Sequence, residues 1–225
     1  VIASMEMRRL GLLSKPAHVV PNHMLEQFSR EWLQAYPQAR ILTCGTEDLV
    51  KDKRRLFVAR AATGEWDAVI MSRSAFEKIP VSKDTEEAYL DEQLTQLRMW
   101  LAASKSERGL SAKRLEGTLA RAEERLKKLR DVERDPALTF EATGIDYLCV
   151  DEAHGFKNLR LASNIPGVAV EGSNRATDLD LKMSYLRGRH GRRVATFMTA
   201  TPIANSVAEA YTMLRYLAPA DLEAA

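Results

Sequence analysis

The stretch Ile145-Asp146-Tyr147-Leu148-Cys149-Val150-Asp151-Glu152-Ala153-His154 decides how this chain is read. Its apolar centre, Tyr147 to Val150, is short, rich in β-formers and nearly uninterrupted, as a central strand covered on both faces requires. Two acids and a histidine follow at its carboxyl end. In open α/β sheets, ligands bind outside the carboxyl ends of the strands. A carboxylate pair at that place suits two jobs: Asp151 holds a Mg²⁺ ion, and Glu152 orients or deprotonates a water. The plainer alternative is an acidic surface turn, and the rest of the chain bears on the choice.

Similar apolar runs recur along the chain with helical segments between them. Ala17-His18-Val19-Val20-Pro21, Arg40-Ile41-Leu42-Thr43-Cys44, Trp66 to Ser72 and Arg193 to Thr199 read as four further strands. The first ten residues read as an amphipathic helix with Ile2, Met5, Arg9 and Leu10 at roughly helical spacing, stopped by Gly11 and Lys15-Pro16. Asn22 is expected to cap a helix from about His23 to Tyr36, whose Met24, Leu25, Phe28, Trp32 and Leu33 share one face. Thr46 or Asp48 opens a charged helix through about Ala62, and Gly64 breaks the chain. Thr177-Asp178-Leu179-Asp180 reads as a capping box, with a helix to about Leu186. Strands alternating with helices imply a parallel sheet with right-handed crossovers. The strand ends Pro21, Cys44, Ser72, Asp151 and Thr199 should then share one edge.

Residues 84–135 carry no strand signal. Leu90, Leu94, Leu97 and Leu101 recur at 4-3-4 spacing, and Leu115, Leu119, Ala122, Leu126 and Leu129 at 4-3-4-3. A polar turn from Ser104 to Ser111, containing Gly109, separates the two seams. Glu86 and Glu87 near one start and Lys127, Lys128 and Arg130 near the other end suit the helix dipoles. The pattern predicts an antiparallel helical hairpin inserted into a domain made of 1–83 and 136–225. The hairpin is either a rigid spacer or an arm that touches DNA or another domain. A second irregular stretch, Arg160 to Asn174, carries Pro166, Gly167 and Gly172.

At 225 residues the chain is long enough to bury a proper core. A net charge of +2 does not announce nucleic-acid binding, so any such surface is a local patch. The one dense basic cluster is Arg187-Gly188-Arg189-His190-Gly191-Arg192-Arg193. No apolar run approaches the length of a membrane span, so no membrane partner is expected. Cys44 and Cys149 both sit in strand-like runs, which favours reduced, buried thiols in a cytoplasmic protein over a metal site.

Several of these segments resemble a known family. Asp151-Glu152-Ala153-His154 spells the DEAH form of the Walker B motif of helicase-like ATPases. Phe197-Met198-Thr199-Ala200-Thr201-Pro202 looks like motif III of the same superfamily. With Lys157-Asn158 after the DEAH and a helix ending in Leu214 to Pro219, the order resembles superfamily-two ATPases of the Swi/Snf-like branch. It is also similar to the large helicase-like proteins of phages and mobile elements that are often fused to adenine methyltransferases. The resemblance covers most of the chain outside roughly 75 to 140.

What the resemblance implies is specific. The fold is a RecA-like sheet flanked by helices, here a truncated first motor lobe. The cofactors are ATP and Mg²⁺. Asp151 holds the Mg²⁺ of MgATP, Glu152 positions the attacking water, and His154 links the nucleotide site to motif III, where Thr199, Ala200 and Thr201 couple the two. Pro21, Asn22 and His23 occupy the place of motif Ia and Ser72 and Arg73 that of motif Ib, both of which touch the nucleic-acid backbone. Arg189 and Arg192 in the basic cluster would add sequence-independent phosphate contacts. Implied partners are DNA, a second RecA-like lobe and a fused methyltransferase domain, and the implied setting is a cytoplasmic protein of bacterial or phage origin.

The phosphate-binding Gly-x-x-x-x-Gly-Lys-Ser/Thr loop occurs nowhere in these 225 residues. The expected reading is that the chain starts inside the helix after that loop and does not turn over ATP by itself. Two rival readings are a non-catalytic interaction module and an RNA-directed helicase.

Overall fold

Each apolar run singled out in the sequence becomes a strand, shortened or shifted by one or two residues. In the computed structural model, which describes residues 1–50, 52–104, 110–130, 135–160, 172–203 and 206–223, β1 is Pro16–Val20, β2 Ile41–Cys44, β3 Ala68–Ser72, β4 Tyr147–Val150 and β5 Ala195–Phe197. They form one five-stranded sheet in the order β2-β3-β1-β4-β5, every pair parallel. The register sets Val19 beside Val150, Val20 beside Ser72 and Val150 beside Phe197, so the carboxyl ends fall on one edge. The architecture is α/β and RecA-like, as the alternation of strand and helix implies.

The sheet is buried on both faces, which explains why β1, β3 and β4 read as continuous apolar runs. One face carries Ala17, Val19, Val69, Met71, Leu148 and Val150. Against it pack α3 (Asp52–Thr63), α4 (Arg73–Lys78) and α7 (Asn174–His190), through Phe57, Phe76, Leu179 and Met183 among others. The other face carries Val20, Ala68 and Ile70, covered by Trp32 of α2 (Leu25–Ala35) and by Met5 of α1 (Ile2–Arg9). Two short helices, α8 (Val207–Leu217) and α9 (Pro219–Glu223), follow β5.

Local chemistry shifted several expected boundaries. In α1 it is Ser4, not Ile2 or Leu10, that faces inward, because its hydroxyl lies 3.1 Å from buried His18 Nε2; Ile2 and Leu10 are 67% and 60% exposed. Gly11 ends that helix in the left-handed region, φ +71°, as a glycine stop should. Helix α7 starts at Asn174 rather than near Thr177, since Ser173 is the cap and its Oγ accepts from the Ala176 N–H at 3.2 Å. Asp180 therefore lies in the second turn of the helix and turns inward. It also runs on to His190, so the basic cluster begins in its last turn.

The leucine seams form α5 (Lys83–Ser104) and α6 (Leu110–Arg130), packed side by side with Leu90, Leu94, Leu97 and Leu129 buried. Arg125–Glu86 (2.7 Å) and Arg98–Glu123 (2.8 Å) tie them in the order of an antiparallel pair. The base of α5 belongs to the main core: buried Tyr89 donates its hydroxyl to Asp180 Oδ2 at 2.7 Å. The expected turn at 105–109, the irregular stretch at 161–171 and Ala204-Asn205 lie outside the described residues. Among the described residues, no helix is long and apolar enough to cross a membrane, and both cysteines are buried and free.

Candidate functional site

The site grows from the end of β4. The sheet ladder continues one residue past the strand, as Asp151 N–H donates to the Val19 carbonyl at 2.8 Å. The chain then turns sharply. Glu152 adopts φ 49°, ψ 50°, and among the described residues it alone is non-glycine with positive φ. A side chain in that region carries a cost that the surrounding structure must hold in place. The next residue is pinned across the strand gap, Ala153 N–H donating to Met198 O at 3.0 Å, while Met198 N–H donates to Val150 O at 2.9 Å. The turn that bears both acids is thereby stitched to β1 on one side and to the end of β5 on the other.

His154 joins the acidic turn to the segment after β5. Its Nδ1 lies 3.0 Å from Glu152 Oε2 and 3.2 Å from Thr199 Oγ1. An ionised carboxylate only accepts, so the network assigns a proton to Nδ1. Thr199 Oγ1 also accepts from the Thr201 N–H at 3.2 Å, which fixes the Thr199-Ala200-Thr201 turn. A continuous path of polar contacts thus runs Glu152, His154, Thr199, Thr201. Ala200 and Thr201 are exposed at the same edge.

Arg73 was expected to face a nucleic-acid backbone. The structure turns it inward instead. Its Nη2 donates to the Glu152 carbonyl at 3.1 Å and stands 3.5 Å from that of Asp151. Its guanidinium lies over the Phe156 ring, 5.4 Å from the centroid. Burial, with Arg175 nearby, pushes its pKa below the usual arginine value, while Glu77, Glu152 and Asp151 act the other way. Buried Phe156 is held in turn: its carbonyl accepts from the Tyr216 hydroxyl at 3.1 Å, and the same hydroxyl reaches the Ala176 carbonyl at 2.9 Å. Lys157 pairs with Glu209 of α8 at 2.8 Å. The Arg73, Tyr216 and Glu209 contacts were not legible in the sequence. Each joins residues far apart in the chain, and the adjacency of Lys157 to the DEAH was the one local hint.

The other candidate nucleic-acid residues divide between two places. Pro21, Asn22 and His23 follow β1 at the same edge as Asp151, and Asn22 and His23 are exposed. Asn22 does not cap its own helix. It bridges to the neighbouring strand end, donating from Nδ2 to Ser74 Oγ (2.8 Å) and accepting from the Ser74 N–H at Oδ1 (3.1 Å). Ser72 is buried and caps α4, its Oγ accepting from the Ala75 N–H at 3.2 Å. Arg189 and Arg192 are exposed but lie between the end of α7 and the start of β5, on the amino edge of the sheet. The fold does not bring them to the edge that carries the other residues.

The acidic turn suits a hydrated divalent cation shared with a phosphate ligand. The half-exposed Asp151 carboxylate forms no hydrogen bond and no ion pair with the described residues. Among those residues there is no cluster of three or more candidate ligands, hence no all-protein cage. Mg²⁺ is commonly held by one or two carboxylates, with water and substrate phosphates completing its shell.

A parallel α/β sheet with an acidic, histidine-bearing turn at its carboxyl edge, linked to a threonine turn at the end of the neighbouring strand, is compatible with a helicase-like domain. Comparison with known proteins agrees: the probable helicase domain model matches residues 1–225, and the chain belongs to that family. It is also 29% identical over 161 residues to the Defense against restriction protein B of Escherichia phage P1, a match covering 68% of this chain and 7% of that protein. The chain thus spans a small part of the length of the curated relative it matches.

Proposed function

We propose that this chain is the amino-terminal RecA-like motor lobe of a DNA-dependent ATPase of the superfamily-two, Swi/Snf-like type, coupling ATP hydrolysis to movement along DNA. The observation that carries the reading is the contact path from Glu152 through His154 to Thr199. Such a path gives a change at the nucleotide a physical route to the next strand end. In this reading Asp151 holds the Mg²⁺ of MgATP and Glu152 positions the attacking water. These tasks suffice, because phosphoryl transfer relies on metal, positioning and charge stabilisation rather than covalent help. Thr199, Ala200 and Thr201 pass the change to a second lobe, and exposed Asn22 and His23 meet the nucleic-acid backbone.

The 225 residues contain no phosphate-binding loop, so turnover is assigned to the full-length protein, with ATP and Mg²⁺ as cofactors. Residues 84–135 are proposed as an insertion in the lobe formed by 1–83 and 136–225. Further proposed partners are a fused methyltransferase domain and duplex DNA, in a cytoplasmic setting. The phage relative's name supports DNA over RNA, since restriction acts on DNA.

The test is phosphate release by the full-length protein with duplex DNA, single-stranded DNA or RNA. The reading expects the largest stimulation with duplex DNA, weakening steeply with salt. Stimulation by RNA alone would replace the substrate, and no hydrolysis under any condition would leave a non-catalytic module.

A further inference from the structure

We propose that Arg73 is a positioning residue for the acidic turn: its guanidinium holds the backbone carbonyls that set the aim of Glu152, and Gly155 lacks a side chain so that the guanidinium can enter. The inference rests on the proposed ATPase reading and adds to it a residue from a different strand.

Three observations converge on Arg73. First, it sits directly after β3, two strands away from β4 in the sheet, yet its Nη2 reaches the carbonyls of Asp151 and Glu152 at 3.5 and 3.1 Å. Those two carbonyls belong to the turn in which Glu152 is held at φ 49°. A non-glycine residue stays in that region only when its surroundings over-determine it, and a donor held on the turn's own carbonyls is such a restraint. Second, Gly155 is not among the glycines with positive φ, so its backbone does not demand glycine. What does is space: a Cβ there would stand 2.6 Å from Arg73 Nη1 and 3.0 Å from its Cζ, and the three nearest atoms all belong to Arg73. Third, Arg73 Nε is buried without a hydrogen-bond partner among the described residues. An orphaned donor is costly, and the contacts that offset it are those to the two carbonyls and to the face of Phe156.

This role and a phosphate contact predict different outcomes for variants of Arg73. The guanidinium meets the two turn carbonyls and Phe156, and the charges that act on it are those of Glu152, Asp151 and the Arg175–Glu77 ion pair. Nη2 is thereby engaged within the protein. The role also explains why lysine is not expected here. An ammonium could meet the carbonyls but has no plane to lie on the Phe156 ring at the same time.

The experiment compares the native full-length protein with Arg73→Lys, Arg73→Ala, Gly155→Ala and the double variant Arg73→Ala/Gly155→Ala. It reads DNA-stimulated kcat, KM for ATP, the salt slope of DNA binding, and folding by circular dichroism. Loss of the guanidinium is expected to lower kcat by about 10- to 100-fold, the range typical of groups that orient a metal site, with KM for ATP changed by less than about twofold. Gly155→Ala is expected to lower kcat similarly with a native fold, because alanine fits that backbone and displaces only the guanidinium. In the Arg73→Ala background, Gly155→Ala is expected to add no further loss, and the salt slope of DNA binding stays at its native value.

Native kcat in both Arg73→Lys and Gly155→Ala would overturn the inference and leave the ATPase reading standing. So would additive losses in the double variant. A salt slope reduced by about 0.9 in Arg73→Ala, with kcat unchanged at saturating DNA, would make Arg73 a phosphate contact instead. A native protein without ATPase activity would remove the reading on which the inference rests.

Discussion

Exchanging Glu152 for glycine and for alanine should invert the usual order of stability. Both substitutions remove the same side chain and the same half-exposed contact with His154, so that loss cancels between them. What differs is the Cβ. At φ 49°, ψ 50° a Cβ costs about 1–2 kcal/mol, and alanine keeps that cost while glycine relieves it. Glycine in turn loses more chain freedom on folding, about 0.5–1 kcal/mol relative to alanine. The difference leaves Glu152→Gly more stable than Glu152→Ala by roughly 0.5–1 kcal/mol, or about 1–4 °C in Tm for a domain of this size. Urea unfolding of the two variants followed by circular dichroism measures it directly. An alanine variant more stable than the glycine one by about 0.5–1 kcal/mol, the order at ordinary positions, would refute the argument that the turn stores strain. Neither variant should support turnover, so stability and activity part company at this residue.

Three further outcomes are expected. Burial pushes His18 down to about 3, so it stays neutral in the fold while the unfolded chain takes up a proton below about pH 6.5; the stability this contributes is present above that pH and lost below it, by about 2 kcal/mol at pH 5, and His18→Met should flatten the decline in an acid titration of unfolding. Tyr216→Phe leaves the carbonyls of Phe156 and Ala176 without their hydroxyl donor and should cost about 1–3 kcal/mol in denaturant unfolding, with kcat falling if the DEAH turn loosens. Lys182 is wholly buried, donating to Asp178 Oδ2 and to the Phe76 carbonyl at 2.7 Å each, so Lys182→Ala should destabilise by about 3–5 kcal/mol, whereas a similar loss for the exposed Lys128→Ala would contradict the assignment.

Much of the fold was legible because strand and helix have different periods. The run Tyr147 to Val150 and the leucine seams of α5 and α6 announced their partners by spacing alone. The acidic turn was legible because motif and strand end coincide. Lys182 and Asp180 were not: charged residues in a helix look solvent-facing in sequence, and only the packing of α7 against α4 and α5 puts both in the interior. Arg73 illustrates the same limit. Its place after β3 was correct, but the direction of its side chain depends on Gly155 and Phe156, more than eighty residues later in the chain. The basic cluster was visible as composition, yet composition does not say on which edge of the sheet Arg189 and Arg192 lie.

The proposed division of labour, with Asp151 on the nucleotide's metal and Glu152 on the attacking water, is open to direct measurement. It is tested most directly by measuring ATP binding and DNA-stimulated phosphate release on the full-length protein and its Glu152→Gln and Asp151→Asn variants. Glu152→Gln keeps the shape of the side chain and loses its charge and its capacity to accept a proton. That variant should bind MgATP like the native protein and release no phosphate, while Asp151→Asn should weaken the Mg²⁺ dependence of binding itself. Phosphate release by Glu152→Gln at the native rate would contradict the account, because another group would then be positioning the water.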